Sequence, residues 1–402
     1  MPLRLVHVVS HPIQYFVPLY RALAQRDDIE LTVLFCSTTG LTRYTDPGFG
    51  TQVAWDIPLT AGYRSHFLRR APAIDAAQGA RHIVNPDVAS WIRRLRPDVL
   101  WVHGYTIPTC LIAMATAAAL QISILLRDEA TLLEARPASR EALRRLVLGP
   151  LFRHCHCCYI GQHNRAYYRH YGVAEHRLHH VPYGVDNAFF RAQHATWLPQ
   201  RQAIRAELGI TDDRPILLFA GKLIPKKDPL TLVRAFAQLR TEVPAHLFFL
   251  GDGPLRHDVE RLAQEIAPGA VSIAGFVNQS LIGKWYTAAD ILVLPSLYRE
   301  TWGLVVNEAM NFALPAVTSD HVGCAPDLII EGVTGATFTA GSTSSLHDCL
   351  RTLLQGHSLA AMGEAARRHI AHWDVSSSAA SIARAAHGVR NALMSTSASR
   401  VT

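Results

Sequence analysis

Short apolar segments alternate with amphipathic ones in two successive series, and this alternation restricts the fold more than any other feature. The first series contains the strand-like segments LRLVHVVS (3–10), ELTVLFCS (30–37), PDVLWVHG (97–104) and QISILLRDE (121–129). The second series contains PILLFAGKL, HLFFLGDGP, VSIAGFV and ADILVLPSL. Strands that alternate with helices predict parallel sheets with right-handed crossovers. We therefore expect an α/β chain of two Rossmann-like, doubly wound domains facing a central cleft.

The chain length predicts two domains, and turn signals indicate where they meet. A chain of 402 residues with 49% hydrophobic content is too long for one ordinary core. VPYGVDNAFF (181–190) carries Pro, Gly and Asp and predicts an exit from the first domain. We place the first domain at 1–186, an interdomain linker at 187–214 and the second domain at 215–375. Residues 376–402 are expected to form a helix that crosses back to the first domain, followed by a frayed tail.

Composition limits the classes of binding partner and the cellular compartment, but it does not identify a single partner. The net charge of +7 favours phosphates, anionic lipid or nucleic acid. Seven cysteines without framework spacing, and an N-terminus without a secretory pattern, predict a cytoplasmic protein. The alanine-rich segment 107–126 contains Pro108, so we expect a buried helix leading into a strand and no membrane span. HCHCC (154–158) is interpreted as a half-buried strand, because neighbours on a strand cannot converge on one metal ion.

Charged side chains follow several strands of the second series, where open parallel sheets bind ligands. Lys222 and Lys227 lie in GKLIPKKDP (221–229) and suit a diphosphate, although a solvated surface explains them equally well. Glu300 and Glu308 stand eight residues apart in YRETWGLVVNEAM (298–310). Burying carboxylates there is costly unless they are paired. The start of the helix that follows Gly303 is expected to offer amides to an anion.

The first domain carries its own charged groups at predicted strand ends. His11 and His103 each follow a strand, and a hydrogen-bonded structural histidine is the favoured reading for either one alone. Arg127, Asp128 and Glu129 form a denser cluster after QISILL. Site and solvated turn are equally supported, with Asp128 or Glu129 as contacts for an acceptor hydroxyl.

These motifs occur in an order and with a spacing that resemble a known family. GKLIPKKDP, FLGDGP, GFV (275–277), ADILVLPSLYRETWGLVVNEAM, LPAVTSD and GVTGATF (332–338) together resemble the donor domain of family-4 (group 1) retaining glycosyltransferases of the GT-B fold. The resemblance is specific over residues 215–340. It implies transfer of a sugar from a nucleotide-sugar donor to a glycan, lipid-linked or small-molecule acceptor.

The resemblance also implies roles for individual residues. Glu308 would bind the ribose, and Glu300 would contact the transferred sugar as a catalytic residue. The positions of Asp128 and His103 near the ends of their strands make these two the other candidate catalytic residues. The donor-binding set would be completed by the diphosphate-binding Lys222 and Lys227, the helix amides of Leu304 and Val305, and the base-flanking Phe276 and Val277. From their position at strand ends, and not from the resemblance, His11, Arg127 and Glu129 are candidates for the acceptor side. No D-x-D motif occurs, so neither a metal nor another cofactor is expected, and the lysines would neutralise the diphosphate.

Two other functions and one amphipathic helix also have to be considered from the sequence. A sugar-nucleotide epimerase or hydrolase could use the same fold, and a basic nucleic-acid-binding protein would explain the charge. The latter lacks a binding motif and aromatic interleaving. SREALRRLVLGPLFRH (139–154) is basic on one face and apolar on the other. Contact with the inner face of a membrane would explain it, but we expect its apolar stripe to cover the core of its own domain.

Overall fold

A computed structural model gives the structure of the chain and describes residues 1–46, 48–69, 82–356 and 358–398. Their strands are β1 (Leu3–Val9), β2 (Ile29–Phe35), β3 (Tyr44–Asp46), β4 (Thr51–Val53), β5 (Ser65–Phe67), β6 (Val99–His103), β7 (Ser123–Arg127), β8 (His156–Tyr159), β9 (Leu178–His180), β10 (Ile216–Ala220), β11 (His246–Leu250), β12 (Val271–Ile273), β13 (Ile291–Leu294), β14 (Ala316–Ser319) and β15 (Gly335–Phe338).

The helices fill the intervals between most of these strands. They are α1 (Val17–Ala24), α2 (Val88–Leu95), α3 (Pro108–Ala119), α4 (Ala138–Arg153), α5 (Gln162–His170), α6 (Asn187–Trp197), α7 (Arg201–Glu207), α8 (Pro229–Leu239), α9 (Arg256–Ile266), α10 (Gln279–Ala288), α11 (Leu304–Asn311), α12 (Ala325–Leu328), α13 (Thr343–Gly356), α14 (Leu359–His369) and α15 (Val375–Ala398).

The chain divides into two compact units, and each contains one large parallel sheet. The first unit comprises Met1–Tyr44, Pro58–Tyr183 and Val375–Thr402, and the second comprises Thr45–Ile57 and Gly184–Asp374. In the described residues the first sheet has the order β5-β2-β1-β6-β7-β8-β9, and the second has the order β12-β11-β10-β13-β14-β15. Every recorded pair within these two sheets is parallel. The predicted α/β class with two Rossmann-like domains is confirmed.

Strand order locates the place in each unit where a ligand is expected. Successive connections leave β1 toward β2 on one side and toward β6 on the other, so the first sheet has its switch point between β1 and β6. In the second sheet the corresponding switch point lies between β10 and β13. Ligands of open α/β sheets bind beyond the carboxyl ends of the strands at such points. Each unit therefore has one sheet edge at which a ligand-binding site is expected.

Apolar side chains on alternate faces of the first sheet supply two cores. On β1, Val6 and Val8 enter the cluster that α2, α3 and α5 cover, whereas Leu3 and Leu5 enter the cluster that contains α1 and α15. The same alternation separates the cysteines of HCHCC, because Cys157 lies in one cluster and Cys158 in the other. No group of three metal-ligating side chains is assembled among the described residues.

Residues 187–214, predicted as an interdomain linker, belong to one of the two units. They form α6 and α7, which belong to the second unit. Arg201 and Arg205 of α7 both bind the Asp290 carboxylate, at 2.6 and 3.0 Å, and Arg205 is buried. The segment was misjudged because α7 is held by polar anchors, while sequence periodicity reports only apolar faces.

Helix α15 lies in the first unit, where its apolar face joins the core beside α1. The predicted frayed tail falls in part on residues 399–402, which lie outside the described residues. Segment 107–126 forms α3 and runs into β7, as expected for a buried helix followed by a strand. No helix in the described part of the chain has both the length and the apolar character needed to cross a membrane.

Helix α4 meets only in part the expectation that its apolar stripe covers the core of its own domain. Leu148 and Phe152 are buried, but Leu143, Leu146 and Val147 are exposed by 62%, 74% and 59%. A helix of this length can bury only one face against the sheet, and the apolar residues of α4 extend around more than that face. The helix thus leaves an apolar surface uncovered.

Candidate functional site

Two loops meet at the switch point of the second sheet. After β10 the chain passes through Gly221 and Lys222 into a single 3-10 turn, Pro225–Lys227, and then into α8. After β13 the second loop begins at Pro295 and ends at the start of α11. The Leu297 amide donates to the Lys226 carbonyl at 2.8 Å, which ties the two loops together. Cationic and anionic side chains from the two loops are thereby brought to one place.

Glu300 is buried within this pair of loops and is surrounded by donors. Its Oε2 lies 2.5 Å from the Lys227 ammonium and 3.6 Å from that of Lys226. The Ser296 hydroxyl donates to the same oxygen at 3.0 Å. Burial acts to raise the pKa of the Glu300 carboxyl, but the charges of Lys227 and Lys226 outweigh it and leave the pKa lowered. Glu300 is therefore an ionised carboxylate held in a fixed position.

Backbone geometry fixes the loop that carries Glu300. Gly303 has φ of +99°, and a Cβ there would lie 2.9 Å from a Leu294 methyl, so this position requires glycine. Gly323 passes so close to the Thr301 carbonyl that a side chain would collide with it. The Gly323 amide donates to the Glu300 carbonyl at 2.9 Å. These constraints fix the conformation of the loop and with it the direction in which α11 begins.

Helix α11 supplies the two predicted amides and the second glutamate. Leu304 and Val305 form its first turn, where backbone N–H groups have no intrahelical acceptor. Glu308 is buried one turn later, and the Tyr286 hydroxyl donates to its Oε2 at 2.8 Å. The sequence did not indicate a structural partner for Glu308, and the structure shows that Tyr286 is one. The hydrogen bond fixes one carboxylate oxygen of Glu308.

Lys222 does not bind Glu300 but pairs with a carboxylate from a distant part of the chain. Its ammonium lies 2.7 and 2.9 Å from the two oxygens of Asp46. It also lies 4.8 Å from the centroid of the Phe49 ring. Phe49 in turn meets the edge of Phe276 at a centroid distance of 4.9 Å. The predicted diphosphate lysine and the predicted base-flanking phenylalanine are thus linked by Phe49.

In the first unit, His103, Arg127 and Glu129 form one polar cluster. His103 ends β6 and Arg127 ends β7, as neighbours in register. Glu129 Oε1 lies 3.4 Å from Arg127 and 3.8 Å from His103 Nε2. The buried Arg127 guanidinium also stacks over Tyr183, 4.5 Å from the ring centroid. Burial and the charge of Arg127 lower the pKa of His103 to about 3, so this histidine is neutral.

Asp128 and His11 occupy separate positions at the same edge. Burial and the neighbouring Glu129 raise the pKa of the Asp128 carboxyl to about 6. A carboxyl that titrates near neutrality is suited to proton transfer. His11 hydrogen-bonds the Ser10 hydroxyl at 2.9 Å, and burial lowers its pKa to about 4. Of the first-unit residues predicted from the sequence, Asp128 has the property most useful to chemistry.

In the second unit the structure thus groups predicted residues into three sets. Glu300 joins Lys227, Glu308 joins Tyr286, and Lys222 joins Phe276 through Asp46 and Phe49. Sequence reasoning missed Lys226, Ser296, Tyr286, Asp46 and Phe49. The first two stand inside quoted motifs and could have been found from their position beside Lys227 and Glu300. The other three contact the site from elements that lie far away in sequence.

Comparison with known proteins confirms the resemblance that the motifs indicated. Residues 200–369 match the model of glycosyl transferases group 1. The chain is 32% identical over 218 residues to D-inositol 3-phosphate glycosyltransferase of Xylanimonas cellulosilytica, covering 52% of this chain and 51% of that one. It is 31% identical over 180 residues to alpha-D-kanosaminyltransferase of Streptomyces kanamyceticus, covering 44% and 45%. The chain thus spans about half the length of the curated relatives it matches.

Solved structures extend the likeness to the fold of nearly the whole chain. Sucrose-phosphate synthase of Thermosynechococcus elongatus matches with a TM-score of 0.72 at 19% identity, over 97% of this chain and 100% of that one. Anabaena HepE in complex with UDP and glucose matches with a TM-score of 0.69 at 15% identity, over 95% and 98%. The fold is that of GT-B glycosyltransferases, and residues 200–369 carry the group 1 sequence pattern. Neither the epimerase or hydrolase alternative nor the nucleic-acid-binding alternative is favoured by these likenesses.

Proposed function

We propose that the chain is a nucleotide-sugar-dependent glycosyltransferase that retains the configuration of the transferred sugar. The observation that carries the proposal is the buried Glu300 carboxylate, fixed between two lysines at the switch point of the sheet that bears the group 1 pattern. The pairing keeps Glu300 ionised and therefore able to accept hydrogen bonds from sugar hydroxyls. A solvated surface loop would not need such burial.

The proposed mechanism assigns charge stabilisation to the second unit. As the bond between the sugar C1 and the diphosphate oxygen breaks, the electron pair stays on the diphosphate. Lys222, Lys227 and the first-turn amides of α11 stabilise that charge, because fixed cations and dipoles do so better than water. Glu308 binds the ribose, and Phe276 and Val277 flank the base. We assign charge neutralisation to the lysines and not to a metal ion.

The first unit is proposed to serve the acceptor. A new bond forms between the acceptor oxygen and C1, while the acceptor hydroxyl loses its proton. Asp128 takes that proton in our assignment, because its raised pKa gives a carboxylate of greater basicity than usual. His103, Arg127, Glu129 and His11 orient the acceptor by hydrogen bonds. No protein nucleophile is assigned.

A membrane-bound acceptor is favoured by the surface of α4. Leu143, Leu146 and Val147 are exposed on this helix, and Arg140 and Arg145 are exposed beside them. An apolar strip flanked by guanidinium groups matches the chemistry of an anionic lipid surface. We propose that this face holds the enzyme on the inner leaflet of a membrane, near a lipid-linked glycan acceptor in the cytoplasm.

The experiment that tests the main proposal is a thermal-shift panel of UDP-, GDP- and ADP-sugars. A donor present at a hundredfold excess over its dissociation constant should stabilise the protein by about 2.7 kcal/mol, which is readily measured. The matching donor should then be consumed only when an acceptor is supplied. Turnover without an acceptor would favour an epimerase or hydrolase, and stabilisation by none of the three donor classes would overturn the proposal.

A further inference from the structure

A short strand pair from the N-terminal part of the chain lies on the second unit. This pair consists of β3 and β4, and we name the segment Thr45–Ile57 the donor-side hairpin. Contacts assign the hairpin to the second unit, although residues 58–183 of the first unit separate it in sequence from the rest of the second unit, which begins at Gly184. The family pattern over residues 200–369 does not include it. The group 1 pattern therefore carries no information on the contacts of the hairpin.

The hairpin reaches the second unit through an ion pair at one end. Asp46 is mostly buried and accepts from Lys222 with both carboxylate oxygens, at 2.7 and 2.9 Å. The amides of Gly48 and Phe49 also donate to Asp46 Oδ1, at 2.8 and 3.1 Å, so its own turn orients the carboxylate. A Cβ at Gly48 would lie 2.5 Å from the Lys222 side chain. The hairpin thus lies directly against the lysine.

A second set of contacts holds the other end of the hairpin independently of Asp46. The Asn278 side-chain amide donates to the Ala54 carbonyl at 2.8 Å. The Ser280 hydroxyl and amide both donate to the Asp56 carboxylate. These contacts involve neither Asp46 nor Lys222. They can hold this end of the hairpin whether or not the ion pair is formed.

The ion pair between Asp46 and Lys222 has the properties of a displaceable contact. Lys222 keeps 34% of its side chain exposed although Asp46 is mostly buried, so an anion from solvent can still reach the lysine. A diphosphate carries more negative charge than one carboxylate and presents several acceptor oxygens. Lys227 and Lys226 differ, because both are directed to the buried Glu300. Among the three lysines of this loop, Lys222 is the one whose partner comes from outside the loop pair.

We propose that Asp46 is a positioning residue that occupies Lys222 in the unliganded protein and is displaced by the diphosphate of the donor. The carboxylate keeps the lysine extended and oriented by its two hydrogen bonds, and it competes with the ligand for the same ammonium. Phe49 keeps its contact with Phe276 during the exchange. This inference rests on the proposed function, because it requires that Lys222 receives a diphosphate.

The test measures binding of UDP, GDP, ADP and inorganic pyrophosphate by calorimetry to the full chain and to Asp46→Asn. Removing the competing charge should tighten binding of pyrophosphate and of the matching nucleotide by about threefold to tenfold. Asp56→Asn is the matched control, since it removes the same charge from the same hairpin at a position that binds Ser280. Its dissociation constants should stay within twofold of wild type.

A double variant separates displacement from a purely structural effect. In a Lys222→Met background, Asp46→Asn should change the affinity by less than twofold, because the ammonium for which Asp46 and the ligand compete is absent. Wild-type binding that Asp46→Asn weakens or leaves unchanged would overturn this inference and leave the proposed function intact. If neither wild type nor Asp46→Asn binds any of the four ligands, both are wrong.

Discussion

Lys227 and Glu300 lie on different loops, and their charged atoms are 2.5 Å apart at the switch point of the second sheet. The pair joins the turn after β10 to the loop that leads into α11. Its carboxylate is buried, so the pair is both a structural contact and the centre of the proposed sugar site. This double role makes its removal measurable by stability as well as by activity.

Lys227→Met should destabilise the fold by about 1–3 kcal/mol at pH 7, because it leaves a buried carboxylate with only the more distant Lys226. The lowered pKa of Glu300 fixes the sign of the pH dependence. A carboxyl whose pKa is lowered in the folded state contributes stability above its unfolded pKa of 4.5. That contribution is lost as the pH falls through the pKa of the folded state. The difference between variant and wild type should therefore shrink in urea unfolding below pH 4.5.

Lys284→Met is the control for that measurement. Lys284 pairs with Glu207 at 2.6 Å on the surface of the same unit, and Glu207 is half exposed. The substitution removes the same charge from a solvated pair, so its effect should stay within about 0.5 kcal/mol. Equal effects of the two lysine substitutions would show that burial of Glu300 is not what matters.

Glu308→Gln should weaken donor binding at least tenfold while the protein stays folded. The amide keeps the volume of the side chain but no longer offers two anionic oxygens to a ribose diol. Tyr286→Phe is the comparison, because it removes the hydrogen bond that Tyr286 donates to Glu308 and keeps the ring and the carboxylate. It should cost about 1 kcal/mol of stability and leave donor affinity within threefold. Wild-type donor affinity in Glu308→Gln would rule out the ribose role.

Asp128 should give the reaction an acidic limb near pH 6. Its carboxyl has a pKa of about 6, so its basic form is lost on acidification through that value. We expect kcat/KM to fall below about pH 6 in wild type. In Asp128→Asn the rate should be low and this limb absent. If kcat/KM of Asp128→Asn still falls below about pH 6, a group other than Asp128 accepts the proton.

Acid should destabilise the first unit through His103, beginning near pH 6.5. Burial lowers the pKa of His103 from 6.5 to about 3, so the unfolded chain binds a proton that the folded chain excludes. Stability should fall as pH drops from 6.5 towards 3, by up to about 1.4 kcal/mol per pH unit for this group. His103→Asn should reduce the slope of unfolding free energy between pH 6.5 and 5. An unchanged slope would show that His103 stays accessible to protons in the folded state.

Leu146→Glu should reduce binding to vesicles that contain phosphatidylglycerol. The substitution places a carboxylate in the most exposed part of the apolar strip on α4, where it opposes both burial and attraction to anionic lipid. We expect at least a threefold loss of co-flotation, with donor binding unchanged. Leu198→Glu, at a side chain 51% exposed in the second unit, is the control and should float like wild type. Wild-type protein that does not float would dismiss the membrane contact.

The two sheets could be predicted because each strand has a compact apolar pattern that local sequence reveals. The loop around Glu300 was recognisable for a related reason, since its glycine and charges stand within a few residues of one another. The contact between Asp46 and Lys222 has no such local signal, because 176 residues separate the partners. Helix α7 was missed because Arg201 and Arg205 anchor it to a single carboxylate, that of Asp290. For α4, the apolar pattern predicted a helix correctly but not which of its side chains the core would cover.

The hairpin also affects how this chain would behave in domain-exchange experiments. A chimaera that exchanges only residues 184–374 with another glycosyltransferase would separate Lys222 from Asp46, since the two come from different parts of the chain. The grafted lysine would then meet whatever residue the host provides. Donor affinity in such hybrids would depend on the N-terminal parent as well as on the grafted domain. Transplanting residues 45–57 together with 184–374 would keep the native partners and make the donor unit portable.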